Sequence, residues 1–298
     1  MLKRILLVLA GLLIGLVGAY LVASNIGNKK IAAELQQTVA ESDILASLTY
    51  GKLSAGLLSP SVYLSDLELQ LKGVEDPIAI GELEVNDVVL QDNFPVAADL
   101  SVKGLRLLAS HSLLTPWQDD LASMGYDGLD LSLRLRYFYD PAQRQFALEQ
   151  CEFSEPRMGR LRLDLALHNF NPVPIIAGDW RENPFSALTA FSLVSIANLQ
   201  ADYQDNSLAQ KLIDHAARQS GISRDQYVDA ILADLSQRSG KDPDARVREA
   251  LETVTRFMRD PGRISIQAAP QTAMALMRLL LINDMGDVFD QLNLRITS

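Results

Sequence analysis

The chain has 298 residues, 48% of them hydrophobic and 21% charged, and a formal net charge of −10. Residues 1–30 contain four basic residues and no acid, so the rest carries 37 acids against 23 bases. An acidic body of this kind repels phosphate backbones, which excludes nucleic acid as a partner. Cys151 is the only cysteine, so no disulfide can form within the chain and a hydrophobic core must stabilise it.

The first informative segment is an uncharged apolar run at Ile5–Ala23, preceded by Lys3 and Arg4. A helix of this length is just able to cross a hydrocarbon core of about 30 Å. Two interpretations are open: a retained signal anchor, or a signal peptide cleaved at the small residues Val17–Ala19. We favour a retained transmembrane helix, because the run is longer than the hydrophobic region of about 7–15 residues in a signal peptide.

Basic residues before a first hydrophobic segment favour insertion with the N-terminus in the cytoplasm. We therefore expect the bulk of the chain to lie outside the cytoplasm. We also expect the lipid bilayer to be a partner of the protein. The run also contains Gly11 and Gly15 in a G-x-x-x-G spacing, which lets two helices approach closely. A helix dimer through these glycines and a monomeric helix both fit, since glycine is frequent in membrane helices in general.

An eight-residue pattern then recurs: apolar, any, apolar, any, Asp/Gly/Asn, apolar, any, apolar. Its copies, each with its fifth residue, are 62–69 (Asp66), 83–90 (Asp87), 100–107 (Gly104) and 194–201 (Asn198). The alternation predicts β-strands with one buried face, yet the extra residue would turn the second half of each strand to the opposite face. A β-bulge at the fifth position cancels that turn, and Asp, Asn and Gly tolerate the backbone it requires.

The first three copies predict one shared apolar face, which is the candidate lipid-binding site. Its residues are Val62, Leu64, Leu67, Leu69, Leu83, Val85, Val88, Leu90, Leu100, Val102, Leu105 and Leu107. An open face could hold an acyl chain, gaining about 0.8 kcal/mol per buried methylene. If the helices after Ser207 cover it, the face is core instead. We favour this closed arrangement because the chain supplies its own amphipathic helices.

Further strands are predicted where apolar residues alternate with polar ones. These runs are Leu129–Tyr139, Phe146–Cys151 and Leu161–Leu167. A capping box at Thr115–Gln118 predicts a short helix that ends near Met124, and Asn183 followed by proline predicts another. Short turns between successive strands favour an antiparallel sheet.

From Ser207 onward the pattern becomes mainly helical. Capping boxes at Ser207–Gln210 and Ser223–Gln226 open two helices, and Asp242 followed by proline opens a third. The third helix has one apolar stripe, formed by Val247, Ala250, Leu251, Val254, Phe257 and Met258. The remaining predicted elements are a strand at Ile264–Ile266, a helix at Thr272–Ile282 and a terminal strand at Leu292–Ile296.

These elements predict an α+β fold, with an N-terminal transmembrane helix followed by a curved antiparallel β-sheet that C-terminal helices cover. The predicted organisation has three parts. Residues 1–30 form a cytoplasmic stub and anchor, residues 31–206 form the sheet with short helices, and residues 207–298 form a helical cover whose strands rejoin the sheet.

The single span, the strand Leu48–Lys52 and the repeated apolar strands resemble the AsmA-like and DUF945-like envelope proteins of Gram-negative bacteria. The resemblance covers roughly residues 1–110 and the copy at 194–201. It implies a single-pass protein of the bacterial inner membrane with most of the chain in the periplasm. It also implies curved sheets with an apolar concave face and a role in phospholipid movement or outer-membrane assembly. The helices after Ser207 have no counterpart in the large lipid-bridging members of that group.

No catalytic, metal or cofactor motif is present. The three histidines, His111, His168 and His215, form no zinc-binding pattern. Cys151 and His168 would form a nucleophile–base pair only if two strands brought them together, and a cysteine on an alternating strand usually acts as a small hydrophobe. We therefore predict no catalytic residue, no metal, no cofactor and no enzymatic activity.

The sequence predicts a protein of envelope maintenance that handles lipid through its apolar sheet face, with phospholipid as the ligand. The alternative is a non-enzymatic assembly module whose sheet edge or helical face docks a membrane or envelope protein. A hydrolase would need a cleft that joins Cys151, His168 and an acid.

Overall fold

The computed structural model describes residues 28–298 apart from 43, 57–60, 92–93, 173–191, 239–244, 280 and 283. In chain order its elements are α1 (Asn28–Glu41), β1 (Leu45–Thr49), β2 (Lys52–Ala55), β3 (Val62–Leu71), β4 (Ile78–Gln91), β5 (Phe94–Leu108), a 3₁₀ turn (Thr115–Trp117), α2 (Gln118–Ser123), β6 (Gly128–Asp140), β7 (Gln145–Glu155), β8 (Gly159–His168), β9 (Ser195–Asp205), α3 (Leu208–Gln219), α4 (Arg224–Arg238), α5 (Ala245–Arg259), β10 (Arg263–Ala268), β11 (Met274–Ala275), α6 (Leu276–Leu279), α7 (Met285–Leu292) and β12 (Leu294–Thr297).

The strands of this part of the chain form one sheet in the order β1-β3-β4-β5-β6-β7-β8-β9-β10-β12. Strand β2 also pairs with β3, and β11 pairs with β9. The pairs are antiparallel throughout β1 to β5 and again from β8 to β12. Sequential neighbours therefore lie side by side over most of the sheet, as short turns between alternating strands favour.

The predicted fold class is wrong in its first element. It placed a transmembrane helix at Ile5–Ala23, a segment that lies outside the described residues. Among the helices that the structure does describe, none is both long and apolar enough to cross a bilayer. The architecture that the structure supports is a mostly antiparallel sheet of twelve strands with helices following it.

The kinks predicted in the repeated strands are present. Asp66, Asp87 and Gly104 have positive φ angles of 53°, 52° and 65°, in the left-handed region that Asp and Gly tolerate best. The pairing between β4 and β5 shifts between Asn86 and Val89, so Asp87 lies in a true β-bulge. In the fourth copy the shift occurs at Ala197, because Ala166 pairs with Asn198 and Leu167 pairs with Ile196.

The kinks at the other two positions have a different cause. The strand register places Gly51, Asp66, Gly81 and Gly104 opposite one another in four neighbouring segments, and the pairing continues without a shift. Each strand therefore carries its extra residue at the same level. A Cβ on Gly81 would lie 3.2 Å from the carbonyl oxygen of Lys103, which leaves little room for a larger residue. The bulges predicted at Asp66 and Gly104 are wrong, but the single apolar face is preserved.

The apolar face of the repeated strands is the core of the first half of the chain. Nine of its twelve residues are buried, and Leu90, Leu105 and Leu107 pack against the same cluster. Leu35 and Val39 of α1 belong to this cluster, although the sequence did not predict that helix. Helix α5, in contrast, packs against β10 and β12. The prediction that the helices after Ser207 form the cover of this face is therefore wrong in its choice of helix.

The chain divides into two compact units. The first comprises the residues up to Tyr137 together with Glu152–Pro156, and the second comprises Phe138–Cys151 together with Arg157–Ser298. On the polar side of the first unit, the carboxylate of Asp99 is buried and accepts hydrogen bonds from Arg134 (3.1 Å) and Arg136 (2.9 Å).

Side-chain caps define the helices of the second unit. The capping box at Ser223–Gln226 is confirmed, since Gln226 N donates to Ser223 Oγ and Ser223 N donates to Gln226 Oε1. The box predicted at Ser207 is wrong. Ser207 Oγ donates to the carbonyl of Arg157, and Asp205 Oδ1 accepts from Ala209 N at 2.7 Å instead. The carboxylate wins because an ionised acceptor makes the stronger hydrogen bond at a helix start.

The last predicted helix is also corrected. The segment predicted as a helix at Thr272–Ile282 contains strand β11 and the four-residue helix α6. Helix α7 was not predicted from the sequence. Asp284 is its N-cap residue, and the Asp284 side chain accepts a hydrogen bond from Asp287 N. The predicted terminal strand is present as β12. The helices predicted to start at Asn183 and Asp242 begin outside the described residues, and the latter is seen from Ala245 onward.

Candidate apolar binding site

The twelve predicted lipid-face residues lie together in the structure, but as packed core. Leu64 has a relative exposure of 1%, and the adjacent strands contribute Leu53 and Leu83 directly opposite it. A surface depression beside these strands has a volume of about 180 Å³ and a lining that includes Ser54, Ser61 and Glu84. A polar depression of this size is below the usual range of about 300–1,000 Å³ for ligand sites.

A second set of apolar residues is placed differently. Strand β8 carries Leu161, Leu163, Leu165 and Leu167 on one face, and we call these four the leucine row. None of them is fully buried, and Leu161 is 40% exposed. Four apolar side chains on one side of a strand ordinarily pack beneath another layer. The row is therefore apolar surface that the described residues leave partly open to solvent.

The neighbouring strand shapes one side of this row. In the β8–β9 pair, Leu163 lies opposite Ala201 and Leu165 lies opposite Leu199. Residues directly opposite in an antiparallel pair share a face. Ala201 therefore presents only a methyl group beside Leu163. Leu199 packs against the cluster formed by Ala268, Met274 and Leu292, so the row borders the helix-covered core of the second unit.

An aromatic pair marks one end of the row. Tyr203 lies opposite Leu161, and its ring meets Phe257 of α5 edge-on, with the ring centroids 6.1 Å apart. The hydroxyl of Tyr203 donates to Asp205 Oδ1 at 2.7 Å. A Cβ on Gly159 would lie 3.1 Å from that hydroxyl and 2.5 Å from the carbonyl oxygen of Gln204. The absence of a side chain at Gly159 therefore leaves the space that the Tyr203 ring occupies.

The alternation from Leu161 to Leu167 predicted the strand correctly, but no binding site was predicted on it. Leu161 to Leu167 alternate with Arg160, Arg162 and Asp164, which predicts a strand with one apolar face. Periodicity identifies the face but not what covers it, because the cover comes from residues distant in sequence. The lipid-binding face was predicted on the repeated strands, and these strands form packed core.

The histidines do not form a site. His111 is buried after β5, where its Nδ1 accepts the backbone N–H of Leu113 at 3.2 Å. His168 lies opposite Ser195 at the end of β8. The Nε2 atom of His215 lies 2.8 Å from Gln219 on the surface of α3. Among the residues with described positions, no three His, Cys, Asp or Glu side chains come together as a metal site.

Cys151 is buried, and the charged group that affects it is Asp164 rather than His168. Burial, together with the negative charge of Asp164, raises the pKa of the thiol. The thiolate is the reactive form of cysteine, so these surroundings favour the unreactive thiol. The nucleophile–base pair considered from the sequence gains no support from the thiol's environment.

We expect native protein at pH 8 to react with 5,5′-dithiobis(2-nitrobenzoate) far more slowly than the same protein in urea. The raised pKa and the buried sulfur both slow the reaction. The measurement is the absorbance of released thionitrobenzoate with time. Equal rates in the two conditions would show that Cys151 is exposed and activated.

A family model described as an uncharacterized protein matches residues 152–298 of this chain. No curated protein matches the chain. The matched residues include the leucine row and the helices α5 and α7. The candidate site therefore lies within the residues that this family model matches.

Proposed function

We propose that this protein is a non-enzymatic lipid-handling protein that binds one acyl chain along the leucine row of β8. The observation that supports this most strongly is the partial exposure of all four leucines on one face of a strand. From Leu161 to Leu167 the row is roughly 20 Å long at about 3.3 Å per residue. A single acyl chain spans about half of a 30 Å hydrocarbon core, so the row is long enough for one chain.

The dimensions of the row favour an acyl chain over a docked protein. Neighbouring strands are about 4.8 Å apart, so a row one strand wide covers roughly 100 Å² in plan. Stable protein interfaces bury about 800 Å² on each partner, several times more than the row offers. An alkyl chain needs only a narrow apolar strip and gains about 0.8 kcal/mol for each methylene it buries.

An acyl-chain ligand agrees with the bacterial envelope location and the AsmA-like resemblance that the sequence suggested. We include both in the proposal, since a protein that handles lipid meets its ligand at a membrane. The acidic surface, with a net charge of −10, keeps such a protein soluble beside its ligand.

We predict that the double substitution Leu163→Gln with Leu165→Gln weakens binding of cis-parinaric acid roughly tenfold. Each amide replaces apolar contact with about one or two methylenes of the ligand, and 1.4 kcal/mol corresponds to about tenfold in affinity. The measurement is fluorescence titration of the full chain with this fatty acid.

Leu212→Gln is the matched control, because Leu212 on α3 is 46% exposed and lies outside the row. We expect it to bind the fatty acid as the unsubstituted protein does. Thermal unfolding of each variant checks that the sheet is intact. Unchanged affinity in a folded double variant, or no binding by the unsubstituted chain, would refute the proposal.

A further inference from the structure

Three large apolar side chains are exposed together near the start of β9. They are Leu193 (61% exposed), Met277 (38%) and Leu281 (75%), and we call them the apolar patch. Single exposed hydrophobic residues are ordinary on a protein surface. Three on neighbouring segments of the same unit call for a physical reason.

Backbone contacts bring the segments of the apolar patch together. Strand β11 pairs with the start of β9, and Leu276 N donates to the carbonyl oxygen of Val194 at 2.9 Å. This hydrogen bond joins Val194, which follows Leu193, to Leu276, which precedes Met277. Leu193 and Met277 are therefore close to each other. Leu281 lies four residues after Met277, beyond the end of α6, and its N–H donates to the carbonyl of Arg278.

The same segment also has an inward side. Leu279 and Ile282 pack against the cluster that contains Ala268, Met274 and Leu292. Met277 and Leu281 are thus the outward residues of a segment in which Leu279 and Ile282 face the core.

The apolar patch lies near the Leu167 end of the leucine row. Leu167, the last leucine of the row, lies opposite Ile196, and His168 lies opposite Ser195. Leu193 precedes Ser195 by two residues. The aromatic pair lies at the Leu161 end of the row and the patch lies near the Leu167 end, where the intervening residues Val194 and Ile196 are buried.

The charges around the apolar patch differ from those of the rest of the chain. Between Asp260 and Asp284 the sequence contains no acid and two arginines, Arg263 and Arg278. Between Glu182 and Asp202 it likewise contains no acid. The chain has 37 acids, but both segments of the patch lack the negative charges that phosphate groups would repel. Arg278, next to Met277, has the sign that phosphates attract.

We propose that the apolar patch is a membrane-contact surface that inserts into the headgroup region of a phospholipid bilayer. Leu193, Met277 and Leu281 enter the boundary between headgroups and acyl chains, and Arg278 lies at the level of the phosphates. An acyl chain then passes from the bilayer to the Leu167 end of the row. This role rests on the proposed function, since the patch loads the row.

The first test measures the depth of the patch in a bilayer. A fluorescent label is attached at Leu281→Cys, and at Leu212→Cys as the control, in a full chain that also carries Cys151→Ala. With vesicles of phosphatidylcholine and phosphatidylglycerol, a nitroxide on the lipid tail should quench the label at 281 and leave the label at 212 unchanged. Because the readout is local, binding of the vesicle by another part of the chain does not affect it. Equal quenching at both sites, or quenching at 281 by aqueous iodide alone, would overturn the inference.

The second test separates loading from binding. The double substitution Met277→Glu with Leu281→Glu should slow transfer of cis-parinaric acid from these vesicles roughly tenfold, because charge opposes insertion. Its equilibrium affinity for the fatty acid in solution should change less than about twofold, since the row is untouched. Normal transfer by this variant refutes the membrane contact while the proposed function stands. Absence of binding in solution by the unsubstituted chain refutes the proposed function itself.

Discussion

Leu64→Ala is expected to destabilise the protein by about 3 kcal/mol, a large fraction of the stability of an ordinary domain. Leu64 is almost completely buried in the cluster formed by the repeated strands and α1. Removing its branched end deletes buried apolar contacts and leaves a cavity, and both effects favour unfolding. The measurement is the urea midpoint at unchanged slope.

The matched control is Leu108→Ala at the end of β5, where the side chain is exposed. We expect this variant to stay within about 0.5 kcal/mol of the unsubstituted protein. If Leu64→Ala were equally harmless, the face of the repeated strands would be open rather than packed. The prediction that its twelve residues bind lipid would then be supported again.

The second large effect is expected at Gly128, the first residue of β6. A Cβ at this position would lie 2.5 Å from the carbonyl oxygen of Leu107 and 3.0 Å from the Cα of Leu108. Both neighbours are backbone atoms of the adjacent strand, so the strand pair itself must move. Gly128→Ala is therefore expected to destabilise the protein by about 3 kcal/mol, at the upper end of ordinary overpacking.

Gly262→Ala provides the comparison, because a Cβ there would meet nothing within 4 Å. We expect a change of less than about 0.5 kcal/mol, measured by urea unfolding as for Leu64. Equal stability of the two glycine variants would show that β5 and β6 do not approach as closely as the structure places them.

Local sequence patterns predicted the strands well. The alternation around Asp66, Asp87 and Gly104 identified β3 to β5 and the face that each presents, since strand periodicity is a property of neighbouring residues. The same reasoning assigned bulges to all three positions. It failed at Asp66 and Gly104, because whether an extra residue forms a bulge depends on whether the adjacent strand carries one at the same level.

The cover of each face could not be predicted from local patterns. Helix α1 packs on the repeated strands through Leu35 and Val39, whereas the amphipathic α5 packs on β10 and β12. An apolar stripe on a helix shows that it will be covered, but not by which sheet. The candidate site was missed for the same reason, since Leu161–Leu167 differ from the core strands only in what lies above them.

The short C-terminal elements illustrate a third limit. The segment Thr272–Ile282 was predicted as one helix, yet pairing of Met274 and Ala275 with β9 makes part of it a strand. Leucine and methionine favour helices only weakly, and a free strand edge nearby outweighs that preference. The exposed Met277 and Leu281 follow from this arrangement and could not be distinguished in sequence from core residues.

The most direct test of the central claim is photocrosslinking of the full chain with a palmitic acid that carries a diazirine on its tail, followed by peptide mapping. An acyl chain on the leucine row should label peptides that contain Leu161–Leu167 or the facing residues Leu199–Tyr203, and excess unlabelled palmitate should abolish the labelling. Labels confined to β3–β5, or spread over the chain and unaffected by palmitate, would contradict the account.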